Sequence, residues 1–183
     1  DFCLSRGLGD VYKRQGLNLG MDYLPGAIAF NPPDAHLLDP LLASSIVWVD
    51  AYVTNVDRTA RNTNMLFWHR RLMLIDHGAS LYFHHNTGDY QSRSRSPFSP
   101  IKEHVLLPRA SALEEADRLM KERLSPELIQ QIVSLIPESW LVPDPFFPDP
   151  AAHREAYQAY LLDRLENSHY FVEEAMHARA KFL

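Results

Sequence analysis

Asn55-Val56-Asp57-Arg58-Thr59-Ala60-Arg61-Asn62 is followed by two short apolar runs, Met65-Leu-Phe-Trp68 and Leu72-Met-Leu-Ile75, and then by Asp76-His77-Gly78. The runs flank His69, Arg70 and Arg71, a pattern that predicts a β-hairpin. The stretch sets an acid, an amide five residues later, and a second acid at the end of the next strand. Phosphoryl transfer calls for such a set: one carboxylate to receive a hydroxyl proton, and an Asn with an Asp to hold the magnesium ions that bridge the phosphates. Both side-chain types offer the hard oxygen ligands that magnesium prefers. Gly78 tolerates backbone angles that bend the chain away from Asp76.

Upstream, Asp39-Pro40 supplies an N-cap and a first-turn proline, which predicts a helix to about Thr54. Leu41, Leu42, Ile46, Val47, Val49, Ala51 and Val53 make it apolar on most sides, so it should be largely buried. Asp50 is the exception, and a buried acid requires a partner. Gly16 to Phe30 reads as loop or short strand pieces, and Asn31-Pro32-Pro33 as a breaker. Gly78 to Pro100, with Gln91-Ser-Arg-Ser-Arg-Ser-Pro97, reads as a long, solvated polar loop.

Downstream the pattern is helical. Ser111 and Glu114 form a capping-box pattern ahead of a helix to about Leu124. Ser125-Pro126 opens another that ends before Pro137, with Leu128, Ile132 and Ile136 at helical spacing. Pro143 to Pro150 is a rigid connector whose Phe146 and Phe147 are expected to pack on the body. Asp149-Pro150 caps a last helix running nearly to Leu183, with Tyr157, Tyr160, Leu161 and Leu165 on its inner face.

The fold expected is therefore α+β, mainly helical, with a short hairpin beside a catalytic loop. Helix, loop, hairpin, long loop and helices is the order of a kinase C-terminal lobe. The residues Asp50-Ala-Tyr-Val-Thr-Asn-Val-Asp-Arg58, Asn62, Asn64 and Leu74-Ile-Asp-His-Gly78 resemble the HipA-like kinase family, and more distantly the protein-kinase and phosphoinositide-kinase superfamily. Softer similarity extends from Gly16-Leu-Asn-Leu-Gly20 to Ile136-Pro-Glu-Ser-Trp-Leu141 and into the last helix. The resemblance implies Asp57 as catalytic base, Asn62 and Asp76 as metal ligands and nucleotide contacts, and Arg61 reaching the transferred phosphate. Asn64 is the alternative to Asn62, because it directly precedes the apolar strand. Leu66 is a candidate for the adenine contact, although Leu66, Phe67 and Trp68 also suit a hairpin core. Arg58 is expected to pair with a local acid, for which Asp50 is available. The motif reads Asp-His-Gly rather than Asp-Phe-Gly, so His77 is either a polar spine residue or a packing substitute.

ATP and Mg2+ are the cofactors implied. A protein substrate phosphorylated on Ser or Thr and an antitoxin-like partner are the partners implied. Asn55, Asp57, Asn62 and Asn64 each have turn chemistry as a sufficient reason to exist; only their combination with Asp76 points to catalysis. Two other functions fit the residues: a non-catalytic pseudokinase-like binding module, and a metal-dependent phosphohydrolase built on Asp57, Asp76 and His77. His84 and His85 lack the spacing of a zinc motif and read as loop residues.

Composition narrows the rest. The chain has 183 residues, 46% hydrophobic and 22% charged, which suits a globular core. A net charge of −5 argues against broad nucleic-acid binding. The lone cysteine, Cys3, permits no internal disulfide and fits a cytoplasmic setting. No apolar run is long enough to span a membrane. Ser5 to Gln15 resembles a translated sequencing adapter, so residues 1–15 are set apart as a non-native segment and 16–183 taken as the kinase portion. A glycine-rich phosphate loop and a paired strand lysine belong to an N-terminal lobe. The expectation is that this lobe is missing, and that the fragment alone binds ATP poorly.

Overall fold

The computed structural model describes residues 20, 22–81, 93–141 and 147–182. Five helices and a small sheet make up these residues: β1 (Ile28–Ala29), α1 (Pro40–Tyr52), β2 (Met65–Trp68), β3 (Arg71–Leu74), α2 (Leu113–Arg123), α3 (Pro126–Ser134), α4 (Pro150–Glu166) and α5 (His169–Ala180). Short 3-10 turns occupy Pro32–Leu37, Ser99–Glu103, Leu107–Arg109 and Glu138–Trp140. The fold is α+β and mainly helical, as the sequence predicts. Among the described residues no helix is long and apolar enough to cross a membrane.

Helix α1 is the centre of the molecule. Asp39 caps it, its Oδ1 accepting from the Leu41 and Leu42 amides at 2.9 and 3.1 Å. Eight of its thirteen residues are buried, which leaves no single polar face. Helices α2, α4 and α5 pack around it. Trp48 stacks on Tyr52 at 5.1 Å and meets the edge of Phe171 at 5.4 Å. Trp48 Nε1 donates to Asp117 at 2.8 Å, and the Tyr52 hydroxyl to the Leu161 carbonyl at 2.9 Å. Burial pushes the Tyr52 phenol well above its ordinary pKa.

The sheet has the order β1-β2-β3, antiparallel throughout. The β2–β3 register pairs Met65 with Leu74 and Trp68 with Arg71. This leaves His69-Arg70 as a two-residue turn, both residues with positive φ, 45° and 63°. Such turns match the right-handed twist of a hairpin, although Asn and Gly are their usual occupants. Met65 and Phe67 face the core and touch it beside Phe30. Alternation therefore turns Leu66 and Trp68 to the opposite face.

Several expectations need correction. Helix α2 begins at Leu113, and its N-cap Ala112 has no side-chain capping bond. The capping box at Ser111 and Glu114 does not form: the Ser111 amide it would use is taken by the Arg109 carbonyl at 2.9 Å, and the buried Ser44 hydroxyl takes the Ala112 amide at 2.9 Å. In α3 the buried residues are Ile129 and Val133, whereas Leu128 and Ile132 are exposed. Packing against α4 selects one of two adjacent apolar pairs. The last helix is two helices, α4 and α5, broken at Asn167-Ser168. Ser168 is fully buried and its hydroxyl donates to Asp117 at 2.5 Å, a tertiary bond that local sequence does not announce. Of the expected solvated loop, residues 82–92 lie outside the described residues, and the remainder is anchored. Ser94 is buried and donates to Asp163, which Arg95 also clasps at 2.9 Å. In the proline-rich connector, 142–146 lie outside the described residues; Phe147 stacks on His153 at 4.1 Å.

Asp50, near the end of α1, finds the partner its burial requires. Its carboxylate accepts from Arg58 Nε at 2.5 Å, His104 Nε2 at 3.0 Å and Asn55 Nδ2 at 2.8 Å. Burial would push this carboxyl up; the His104 bond and the Arg58 charge outweigh it and hold it below its ordinary value. Burial pushes His104 down, so it is neutral. Its Nδ1 accepts the Leu106 amide at 3.0 Å, which places its proton on Nε2, facing Asp50.

Two stability predictions follow from this cluster. Asp50→Leu strands a buried guanidinium and lowers unfolding free energy by about 3–5 kcal/mol, read from urea denaturation. The pH dependence has a definite sign. Both groups have folded pKa values below their unfolded ones, so the unfolded state binds more protons and stability falls with acid. Stability is level above about pH 6.5, falls below it as unfolded histidine protonates, and falls again below about pH 4 through Asp50. His104→Gln makes the first limb of a melting-temperature series across pH 4–8 shallower.

Candidate active site

The chain leaves α1 at Val53 and Thr54, the latter left-handed at φ 53°. The Asn55 amide points inward to Asp50, and its Oδ1 accepts the Asp57 backbone N–H at 3.1 Å. This turn aims Asp57 away from the core while its neighbour Arg58 is drawn into it. Asp57 is half-buried, and Arg58 is fully buried.

Asp57 gathers the two amides. Asn62 Nδ2 donates to Asp57 Oδ2 at 2.8 Å, and Asn64 Nδ2 donates to the same oxygen at 3.3 Å. Asn64 Nδ2 also lies 3.4 Å from the Asp76 carbonyl, and the Asn64 carbonyl accepts the Ile75 amide at 3.0 Å. Asn64 thus bridges the loop before β2 and the segment after β3, at φ 47°. Asp76 is exposed and also left-handed, φ 49°. Its Oδ1 lies 3.4 Å from the Gly78 amide. A Cβ on Gly78 would come within 3.3 Å of that oxygen, so the smallest residue keeps the carboxylate unobstructed.

Arg58 ties these pieces to the body. Nε binds Asp50, Nη1 donates to the Asn64 carbonyl at 2.5 Å and to the Thr63 carbonyl at 3.4 Å, and Nη2 meets His77 Nε2 at 3.1 Å. The expected Arg58–Asp50 pair is present. His77 is exposed, but partial desolvation and the Arg58 charge lower its pKa against the opposing pull of Asp50 and Asp76. Its Nε2 is engaged by Arg58 and does not face the site as a ligand or nucleophile.

The geometry brings together Asp57, Asn62, Asn64 and the backbone of Asp76. Arg61 is exposed on the loop. Leu66, half-buried, lies on the hairpin face opposite the core and pairs across strands with Met73. Met73 and Trp68 line a cavity of about 680 Å³ together with Gly20, Asp22, Tyr23 and Leu24. Its volume lies in the range of small-molecule sites.

A divalent cation suits these residues in chemistry: two carboxylates and two amide oxygens form an all-oxygen donor set, the kind magnesium takes. With both amide nitrogens turned to Asp57, the Asn62 and Asn64 carbonyl oxygens are left to other partners. Among the described residues there is no cluster of three or more His, Cys, Asp and Glu side chains fit for a metal. His84 and His85 lie outside the described residues.

Two functional side chains carry no signal in the catalytic motif. His104 arrives from a segment 54 residues after Asp50. Its only mark is a polar residue before the apolar run Val105-Leu-Leu107. Arg164 is fully buried and donates to the carbonyls of Ala51, Tyr52, Ser94 and Ser96, between 2.7 and 2.9 Å. An arginine among Tyr160, Leu161 and Leu165 on a buried face was its available sign.

A scan against protein-family models matches the HipA-like kinase description over residues 12–174. Searches of curated proteins and of solved structures return no match. The matched span holds α1, the loop, the hairpin and Asp76 with their mutual contacts, and the chain belongs to the HipA-like kinase family.

Proposed function

We propose that this protein is an ATP- and magnesium-dependent kinase that phosphorylates a Ser or Thr hydroxyl of a protein substrate in the cytoplasm. Kinase-type phosphoryl transfer follows from the family; the cofactors, acceptor and residue roles are our reading. The observation that carries it is the convergence of Asn62 and Asn64 on one oxygen of Asp57, with Asn64 also reaching the Asp76 backbone.

Asp57 is the base. Both amides donate to its Oδ2, which leaves Oδ1 as the oxygen to meet the acceptor hydroxyl and take its proton. The amide clasp fixes the carboxylate before substrate arrives, which is how an enzyme of this class lowers its barrier. Asp76 and Asn62, with Asn64 as the second candidate, would hold Mg2+ through their oxygens. Bound magnesium neutralises charge on the transferring phosphate. Arg61, exposed beside the loop, would add a guanidinium to the same phosphate. Leu66 and Met73 would form the apolar floor under the adenine. An antitoxin-like partner accompanies this reading through the family resemblance alone. The engagement of His77 Nε2 by Arg58 disfavours a phosphohydrolase that uses His77.

Asp57→Asn in the intact protein lowers kcat about 10²–10⁴-fold while circular dichroism and melting temperature stay unchanged. Transfer of label from [γ-32P]ATP to a protein acceptor is the assay. Full activity in the variant removes Asp57 from the role, and release of free phosphate without a labelled acceptor removes the kinase reading. The two asparagines separate by a paired measurement. Asn62→Ala raises the Mg2+ concentration for half-maximal activity with little change in stability. Asn64→Ala additionally costs about 1 kcal/mol, because alanine resists the left-handed conformation that Asn64 occupies.

A further inference from the structure

The histidine of Asp-His-Gly has no role in the chemistry derived above, yet it is the only side chain of that motif tied to the buried Asp50–Arg58 pair. We propose that His77 is a positioning residue, a polar latch that accepts a hydrogen bond from Arg58 and thereby fixes the adjoining Asp76. The proposal rests on the reading of Asp76 as a metal ligand.

The direction of the bond is settled by the partners. A guanidinium has five donors and no acceptor. His77 Nε2, 3.1 Å from Arg58 Nη2, therefore presents a lone pair. The ring is neutral with its proton on Nδ1. His104 stands on the other side of the pair with the opposite tautomer, for the same kind of reason. Its Nε2 faces a carboxylate, which accepts only, and its Nδ1 accepts the Leu106 amide. The two imidazoles bracket one ion pair, one donating to the acid and the other accepting from the base.

Asp76 needs such a fastening. It is a non-glycine residue at φ 49°, a conformation that costs on the order of 1 kcal/mol. On its N-terminal side the Ile75 amide is bound by the Asn64 carbonyl. Among the described residues its own carbonyl has the 3.4 Å contact from Asn64 Nδ2 alone. The next firm point is the His77 ring. Arg58 is itself buried, its Nε and Nη1 bound by Asp50 and the Asn64 carbonyl. The latch thus connects the kinked aspartate to a rigid post, as outer partners do for ligands in metal sites generally.

The test uses the intact protein with 15N-labelled histidine. Long-range 1H–15N spectra at neutral pH are expected to show His77 as the Nδ1–H tautomer and His104 as Nε2–H, assigned through His77→Gln and His104→Gln. Mn2+ binding in the presence of ATP, followed by the free Mn2+ resonance, supplies the functional arm. His77→Phe keeps the ring's bulk without the acceptor and is expected to weaken Mn2+ about 10- to 100-fold. His77→Gln places an amide oxygen near the Nε2 position and restores most of the loss. An Nε2–H tautomer at His77, a His77→Phe protein with unchanged Mn2+ affinity, or a Gln variant as weak as Phe overturns the latch. Asp76→Asn without effect on Mn2+ overturns it as well. Mn2+ binding that responds as expected, in a protein that labels no acceptor, upholds the latch and defeats the kinase reading alone.

Discussion

The ion pair between Asp50 and Arg58 is the constraint on which the site depends. Both side chains are almost wholly buried, and burying two charges is favourable only when their remaining hydrogen-bonding groups are satisfied. Here they are. Asp50 accepts from Arg58, His104 and Asn55, and each Arg58 nitrogen has a partner: Nε on Asp50, Nη1 on the Thr63 and Asn64 carbonyls, and Nη2 on His77. A hydrophobic pair of the same volume would serve stability at least as well. It would not join the end of α1, the start of β2 and the segment after β3 at one planar group. The pair's worth lies in position rather than in stability.

A second arginine secures the other side of the same helix end. Arg164 is buried with no carboxylate partner among the described residues, and it caps α1 by donating to the Ala51 and Tyr52 carbonyls at the helix end. A cation there also meets the negative end of the helix dipole. Its remaining donors take the Ser94 and Ser96 carbonyls, and Phe171 lies 4.7 Å beneath the guanidinium. The turn carrying Asp57 therefore departs from a helix terminus held through its side chain by Arg58 and through its backbone by Arg164. A base mounted this way loses little entropy on meeting substrate, which is where positional catalysis finds its advantage.

What could be read from the sequence was what short-range chemistry determines. Asp39-Pro40, Ser125-Pro126 and Asp149-Pro150 each start a helix because a side-chain oxygen and a proline suffice, and each oxygen accepts the expected amide. The site's acids and amides were legible as spacing because they lie within 20 residues of one another. Choices made by distant packing were not legible. In α3, Leu128 with Ile132 and Ile129 with Val133 are equivalent pairs until α4 buries one of them. The α4–α5 break has neither proline nor glycine and depends on Ser168 reaching Asp117. His104 reaches Asp50 from 54 residues away and Arg164 reaches Tyr52 from 112, as ordinary members of segments whose own pattern is apolar.

The left-handed residues bear on the same point. Thr54, Asn64 and Asp76 all have positive φ, and they stand where the chain leaves α1, enters β2 and leaves β3. Each costs on the order of 1 kcal/mol, less for Asn and Asp than for Thr. Thr54, just past the α1 C-cap, is an ordinary left-handed helix stop, whereas Asn64 and Asp76 have no such local reason. Their strain persists because the Asp50–Arg58 pair, the Asp57 clasp and the Asn64 bridge over-determine the backbone between them. At Asn64 the departure accompanies a carbonyl that accepts from Arg58 and a side-chain amide that donates to Asp57. Stability is given up at Asn64 and Asp76, and what it secures is the contact of Asp57 with two amides and, through Asn64, with the Asp76 backbone, set before any ligand arrives.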